Sequence, residues 1–126
     1  MKHGDLTRKV IGCAMEVHGV LGNGFQEKVY HIALGREFEL QQLNFTQEVD
    51  MNIFYKDAHC GTRRVDFLIQ GIILVEIKAV IELEDRHLNQ AMNYLEAYNL
   101  EIGLLINFGA TSLQFKRVHN NKFKHS

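Results

Sequence analysis

The chain has no proline and no tryptophan, only two cysteines, and no long uninterrupted apolar run. Average usage would supply about six prolines at this length. Their absence leaves glycine as the main turn-maker, so the ten glycines are expected to mark the joints. Cys13 and Cys60 lack metal-ligand spacing and exclude a disulfide scaffold; they suit a reducing, cytoplasmic location. Charges break every apolar stretch, which excludes a transmembrane helix, and the first residues lack the apolar centre of a signal peptide, so no membrane partner is expected. An excess of positive charge is also missing. Fourteen Lys and Arg face fifteen Asp and Glu, and a net charge of −1 excludes a grip on nucleic acid by bulk electrostatics. The sum hides an asymmetry: residues 113–126 carry Lys116, Arg117, Lys122 and Lys124 with no acid.

What is present is ordinary for a folded domain: 46% hydrophobic and 23% charged residues, in 126 positions. Length and the absence of linkers or repeats predict one domain over 1–126, ending in a basic tail from about 119. Val10, Ala14, Val17 and Leu21 recur at helical spacing from about Asp5, a candidate N-cap, to a stop at Gly22-Asn23-Gly24. A second helix is expected from Phe25, burying Phe25, Val29, Ile32, Ala33 and Leu40, with close packing at Gly35. The period then changes to two. Phe45, Val49, Met51, Ile53 and Tyr55 predict a strand with one wet face, and Lys56–Thr62 a polar turn closing on Gly61. Strands are expected at 63–69, 72–80, 102–108 and 112–118, with a helix over 85–98 carrying Leu88, Ala91, Met92 and Leu95. The order predicts a single α/β domain, a mixed β-sheet flanked by helices.

Three ionisable residues interrupt the most apolar strands: Asp66, Glu76 and Lys78. Leaving a carboxylate there costs several kcal/mol unless it is paired or binds a cation. Hairpin register decides whether the two acids meet. A two-residue loop at Gln70-Gly71 would put Asp66 opposite Val75, whereas a three-residue loop pairs Ile69 with Ile73 and sets Asp66 opposite Glu76. Gly71 favours the longer loop, because it suits the left-handed position. Two carboxylates beside a lysine suit a hard divalent cation, Mg²⁺ or Mn²⁺, and metal-assisted phosphodiester hydrolysis, with Lys78 positioning water and stabilising negative charge. Taken alone, so short and common a string reads first as an internal salt bridge, with Lys78 neutralising Glu76.

The string is not alone. D-x9-E-x-K across a hairpin, followed by a helix with Gln90 and Tyr94, resembles the PD-(D/E)XK nuclease superfamily. Upstream, Gly24-Phe25-Gln26-Glu27-Lys28-Val29-Tyr30 reads G-x-x-E-x-x-Y and resembles the GxxExxY protein family within it. Glu16-Val17-His18, Leu21-Gly22-Asn23-Gly24 and Gly103-Leu104-Leu105-Ile106-Asn107-Phe108-Gly109 extend the likeness from Ile11 to Val118. Two departures are Asn23, where members often carry proline, and Val65 in place of the proline before the aspartate. The resemblance implies a restriction-endonuclease-like αβββαβ core. It also implies a metal site of Asp66, Glu76, the Ile77 backbone carbonyl and Glu27, with Lys78 as the catalytic lysine and Gln90 at the rim.

Each of these residues has a plainer reading. Glu27 suits the dipole at a helix start, and His18 suits a helix C-terminus. Tyr30, one turn beyond Glu27, either bonds a carboxylate or packs; Gln90 and Tyr94 lie at the edge of a buried helix face. His59-Cys60 diverge in any extended segment and make no zinc site, and Arg63, Arg64 and Arg86 are surface charges close enough to touch phosphate. Two functions follow. The first is a metal-dependent nuclease acting on nucleic acid, DNA foremost. The second is a catalytically silent nucleic-acid- or protein-binding module that keeps the fold. In either case so small a core would draw further grip from a homodimer or a partner protein.

Overall fold

The computed structural model describes residues 3–125. Helices α1 (Gly4–Leu21) and α2 (Glu27–Leu40) precede strands β1 (Phe45–Tyr55), β2 (Ala58–Ile69) and β3 (Ile73–Lys78); α3 (Asp85–Tyr98), β4 (Ile102–Asn107) and β5 (Gln114–His119) follow. The five strands form one sheet in the order β1-β2-β3-β4-β5. The β3–β4 pair, joined through α3, is parallel and the other three pairs are antiparallel. This is the expected mixed sheet. Its centre, β3 and β4, is almost wholly buried, as continuous apolar runs require when both faces are covered.

One core cluster lies between the sheet and α1–α2, with Val10, Ala14, Tyr30, Leu34, Phe38, Phe67, Val75 and Ile106 at its heart. A second, smaller cluster packs Ala91, Tyr94 and Leu95 of α3 on Met51, Val65, Leu74 and Val118. Phe67 and Val65, two positions apart, join opposite clusters, as do Phe45 and Val49, four apart, in the paired strand. A regular strand keeps such residues on one face. Both strands therefore turn over between these positions without losing register: Gln47↔Phe67 is followed by Val49↔Val65. The unpaired positions between them are Glu48, at φ 54°, and Asp66. Beyond this point the β1–β2 hairpin lies against α3 and ends in the exposed aromatics Phe54 and Tyr55.

Several expectations need correction. The second helix buries Tyr30, Leu34, Gly35 and Phe38, while Phe25, Val29, Ile32 and Leu40 are exposed, Ile32 by 63%. Two apolar stripes run along this helix, and the aromatic one carries the larger side chains into the core. Asp5 is not the N-cap: the helix begins at Gly4, which puts Asp5 within the first turn, where it pairs with Arg8. The hairpin turn is Lys56-Asp57, both left-handed, and Gly61 sits inside β2 opposite Ile53. That longer hairpin leaves Tyr55 exposed. The segment after β5 is not a free tail. Asn120 donates to the carbonyls of Leu95 and Leu100, and Asn99 and Lys124 bond reciprocally, so the basic end is fastened to the C-terminal end of α3.

Glycine marks some joints but not most. Only Gly22 and Gly71 take positive φ, at the end of α1 and in the β2–β3 loop, where the left-handed turn requires it. Gly109 serves space instead: a Cβ there would stand 2.5 Å from the backbone of Ala79 and Val80. Gly35 packs on Gln47 and Phe67 as expected, yet a Cβ would meet them at ordinary contact distances of 3.5 and 3.6 Å. Gly109→Ala is therefore expected to cost about 2 kcal/mol or more, whereas Gly35→Ala is expected to stabilise by up to about 1 kcal/mol. Urea unfolding followed by circular dichroism measures both, and a loss of stability in Gly35→Ala would contradict the fit described here.

Candidate active site

The β2–β3 loop is Gln70-Gly71-Ile72, which pairs Ile69 with Ile73 and brings Asp66 level with Glu76. The ladder runs through Phe67↔Val75 and stops there. In its place the carboxylates supply the bonds. The Asp66 backbone N–H donates to Glu76 Oε1 at 3.0 Å, and the Ile77 N–H donates to Asp66 Oδ2 at 2.8 Å. Each acid thus satisfies a backbone donor that the splitting strands would otherwise leave orphaned, and each keeps its second oxygen. The split opens toward both helix layers.

From α2, His31 stacks on Phe67 with ring centroids 4.5 Å apart, and its Nε2 lies 3.9 Å from Asp66 Oδ1. Glu27, one turn earlier, stands near enough to interact electrostatically with Asp66, Lys78 and His31. From β3, Lys78 Nζ reaches Gln90 Oε1 of α3 at 3.5 Å, a long contact. From α3 too, the Tyr94 phenol feels the charges of Glu76 and Asp66.

Burial is the dominant electrostatic influence. Glu76 is only 7% exposed, and desolvation, then the neighbouring Asp66 charge, push its pKa well above the carboxylate range. Asp66 is also raised by burial, opposed by the Ile77 N–H and by His31 and Lys78. Glu27 lies at the surface, yet partial desolvation and Asp66 raise it as well, while Lys78 and His31 pull it down. Three acids held above their normal range around one lysine form a site short of positive charge. The donor set is all oxygen and fits a hard cation that keeps much of its water and needs only one or two carboxylates. Among the described residues no group of three or more His, Cys, Asp and Glu side chains gathers closely enough to hold a metal by itself.

Other sequence candidates fall into structural roles. The Tyr30 hydroxyl donates to the Gly22 carbonyl at 2.6 Å and accepts the Phe25 N–H, while its ring stacks on Phe108 at 4.8 Å. It packs rather than bonding a carboxylate, and so fixes the turn from which α2 and Glu27 start. His18 Nε2 contacts the Ala110 carbonyl at 3.0 Å and ties the end of α1 to the loop after β4. Asn107, fully buried, bonds both the N–H and the carbonyl of Val80, the Gly109 N–H and the Gln114 side chain, and so anchors the chain that leaves Lys78 for α3. His31 went unnoticed in the sequence. Its signal was its place four residues after Glu27, on the same helix face.

The mixed five-stranded sheet, its helices and the split between two central strands define a restriction-endonuclease-like fold. The chain belongs to the PD-(D/E)XK nuclease superfamily, whose family model matches residues 4–118. Nucleases of this superfamily generally use divalent metals and act on nucleic acid. Among solved structures, SSO0001 superposes with a TM-score of 0.62 at 18% identity, over 94% of this chain and 59% of that one. The chain therefore spans about three-fifths of that protein, and the likeness is one of fold. Comparison with curated proteins gives no match. Among the described residues no helix is long and apolar enough to cross a membrane.

The raised carboxylates carry a stability consequence. Because the native state retains protons that the unfolded chain has already released, it binds more protons, and stability falls as pH rises from the ordinary carboxylate range through the raised values. Glu76→Gln removes that charge and keeps an acceptor for the Asp66 N–H. In chelator-treated protein at pH 8 it is expected to stabilise by on the order of 1 kcal/mol, with the gain shrinking toward pH 4.5. Thermal melts across that range check the sign, and a destabilised variant at pH 8 would contradict it.

Proposed function

We propose that this protein is a metal-dependent phosphodiester hydrolase acting on nucleic acid, DNA foremost. Asp66 and Glu76 would hold Mg²⁺ or Mn²⁺, with the Ile77 backbone carbonyl and Glu27 as further oxygen donors. The observation that carries this reading is the pair of carboxylates, one buried and one largely so, each spending one oxygen on a backbone N–H and keeping the other beside its partner. When bound, such an ion would polarise a phosphoryl oxygen and lower the pKa of a water.

The side chains divide the remaining work. Lys78 brings a positive charge to the acidic cluster, where it can orient the attacking water and stabilise negative charge developing on the phosphate. Gln90, at hydrogen-bonding distance from Lys78, holds the ammonium at the rim. Glu27 faces the same cluster from α2 and can accept a proton from the water. His31 orients Asp66 by its stack on Phe67. A second copy of the chain or a partner protein would add grip, and the exposed apolar stripe of α2 is surface available to one.

A silent binding module is the second reading, favoured by the lack of a third metal-ligating side chain within the cluster among the described residues. Metal titration by calorimetry and a panel of labelled DNA and RNA substrates separate the two. Wild type is expected to bind Mn²⁺ in the micromolar-to-millimolar range and to cleave. Glu76→Ala should lose both, and Lys78→Ala should keep binding while losing about 100-fold or more in cleavage rate. Wild type that binds no metal would leave the binding module.

A further inference from the structure

Beside the carboxylates, between the β1–β2 hairpin and α3, lies an open groove of about 550 Å³. It is continuous with the site, because Gln90 and Tyr94 line it while also facing Lys78 and the two acids. We propose that this groove takes an unpaired, single strand of nucleic acid and holds it by base edges more than by phosphates. The proposal rests on the nucleic-acid reading above and narrows it to strandedness.

Its composition carries the argument. Asn89, Gln90 and Asn93 present three carboxamides from the exposed face of α3, within one turn of each other. Two guanidinium groups join them, Arg86 from the same helix and Arg63 from β2. Arg86 is already bonded to Glu84, and Arg63 has no ion-pair partner among the described residues. Phosphate oxygens only accept hydrogen bonds, so a groove built for backbone would be dominated by cations. A carboxamide offers a donor and an acceptor together, which is the pattern on a base edge. In a duplex the pairing edges are consumed by each other. A duplex still shows a carboxamide the major-groove edge of adenine, but an unpaired strand adds the Watson–Crick edges and bases free to turn into the groove.

Charge and shape agree. A net charge of −1 gives no general attraction for a duplex. Two cations in contact with a single strand predict a shallow salt dependence, a slope of about −1.4 in log K against log salt. The groove has the volume of a small-ligand site. It suits one or two splayed nucleotides and lacks the breadth of a surface that cradles a double helix. The half-turn of the hairpin at Glu48 and Asp66 is what brings Arg63 over α3 to form its second wall.

Fluorescence anisotropy with the full chain in calcium or chelator, without turnover, tests this. The probes are fluorescein-labelled single-stranded DNA, single-stranded RNA and duplex DNA of one sequence. Either single strand is expected to bind at least 10-fold more tightly than the duplex, with the shallow salt slope above. Asn89→Ala/Asn93→Ala and Arg63→Ala, all at exposed positions and checked for folding by circular dichroism, should each weaken single-strand binding about 5- to 10-fold. Equal or tighter duplex binding, no binding of single strands, or groove variants that bind as wild type would overturn the proposal. Single-strand binding and cleavage that both stay at wild-type levels in folded groove variants would overturn the groove while leaving the hydrolase. Single-strand binding without metal or cleavage would keep the groove and remove the hydrolase.

Discussion

The exchange of carboxylates between β2 and β3 governs this structure. At one point in the sheet the main-chain ladder gives way, and Asp66 and Glu76 replace its bonds with side-chain acceptors. An apolar pair at these positions would have let the ladder continue, at no desolvation cost. Their burial raises both pKa values and keeps the site in tension with stability. Such a site retains stability only because the backbone donors it satisfies would themselves be costly if orphaned. The acids are therefore part of the fold as well as the proposed site of the chemistry.

The split also sets where everything else stands. Past Asp66 the hairpin has turned over, so Val65 and Met51 join α3 while Phe67 and Phe45 stay with α2. Glu48, opposite Asp66, absorbs the change with a left-handed backbone that a glutamate adopts at a cost of roughly 1 kcal/mol. Two clamps hold the approaches. Tyr30 pins the turn into α2 and hence Glu27 and His31; Asn107 pins the segment after Lys78 and hence the start of α3. Neither clamp touches the carboxylates. Both act by fixing the chain on which a site residue rides.

Much of this was legible in the residues. The length of the Gln70-Gly71-Ile72 loop decided the register, and a glycine suited to positive φ favoured the longer choice. Helix α3 was readable to its ends, since its apolar spacing is unambiguous, acids precede it and Asn99 caps it. Other features depend on tertiary competition. Helix α2 carries two apolar stripes, and nothing local tells that Tyr30, Leu34 and Phe38 win the core over Val29 and Ile32. The Lys56-Asp57 turn is hidden because lysine seldom takes left-handed geometry, so Asp57 stands as a lone turn signal while Gly61 draws the expected joint further along. The family likeness pointed to Glu27, and spacing put His31 on the same helix face, but its part in the site shows only where Phe67 gives its ring a surface to stack on.

The near-neutral composition, finally, means something different once the charges are placed. The basic end is fastened to the far end of α3, nine residues or about 13 Å along the helix from Gln90. It therefore adds little to the field at the carboxylates, which Lys78 and His31 face from within the cluster. The acidic cluster repels a polyanion at long range, so a substrate reaches it only when close contacts outweigh that repulsion. Amides and aromatic faces supply short-range contacts that salt does not screen, and these are what the hairpin and α3 present. On the proposed reading, a small near-neutral domain of this kind would gain its selectivity from the exposed edges of a strand, because long-range attraction would favour every phosphate equally.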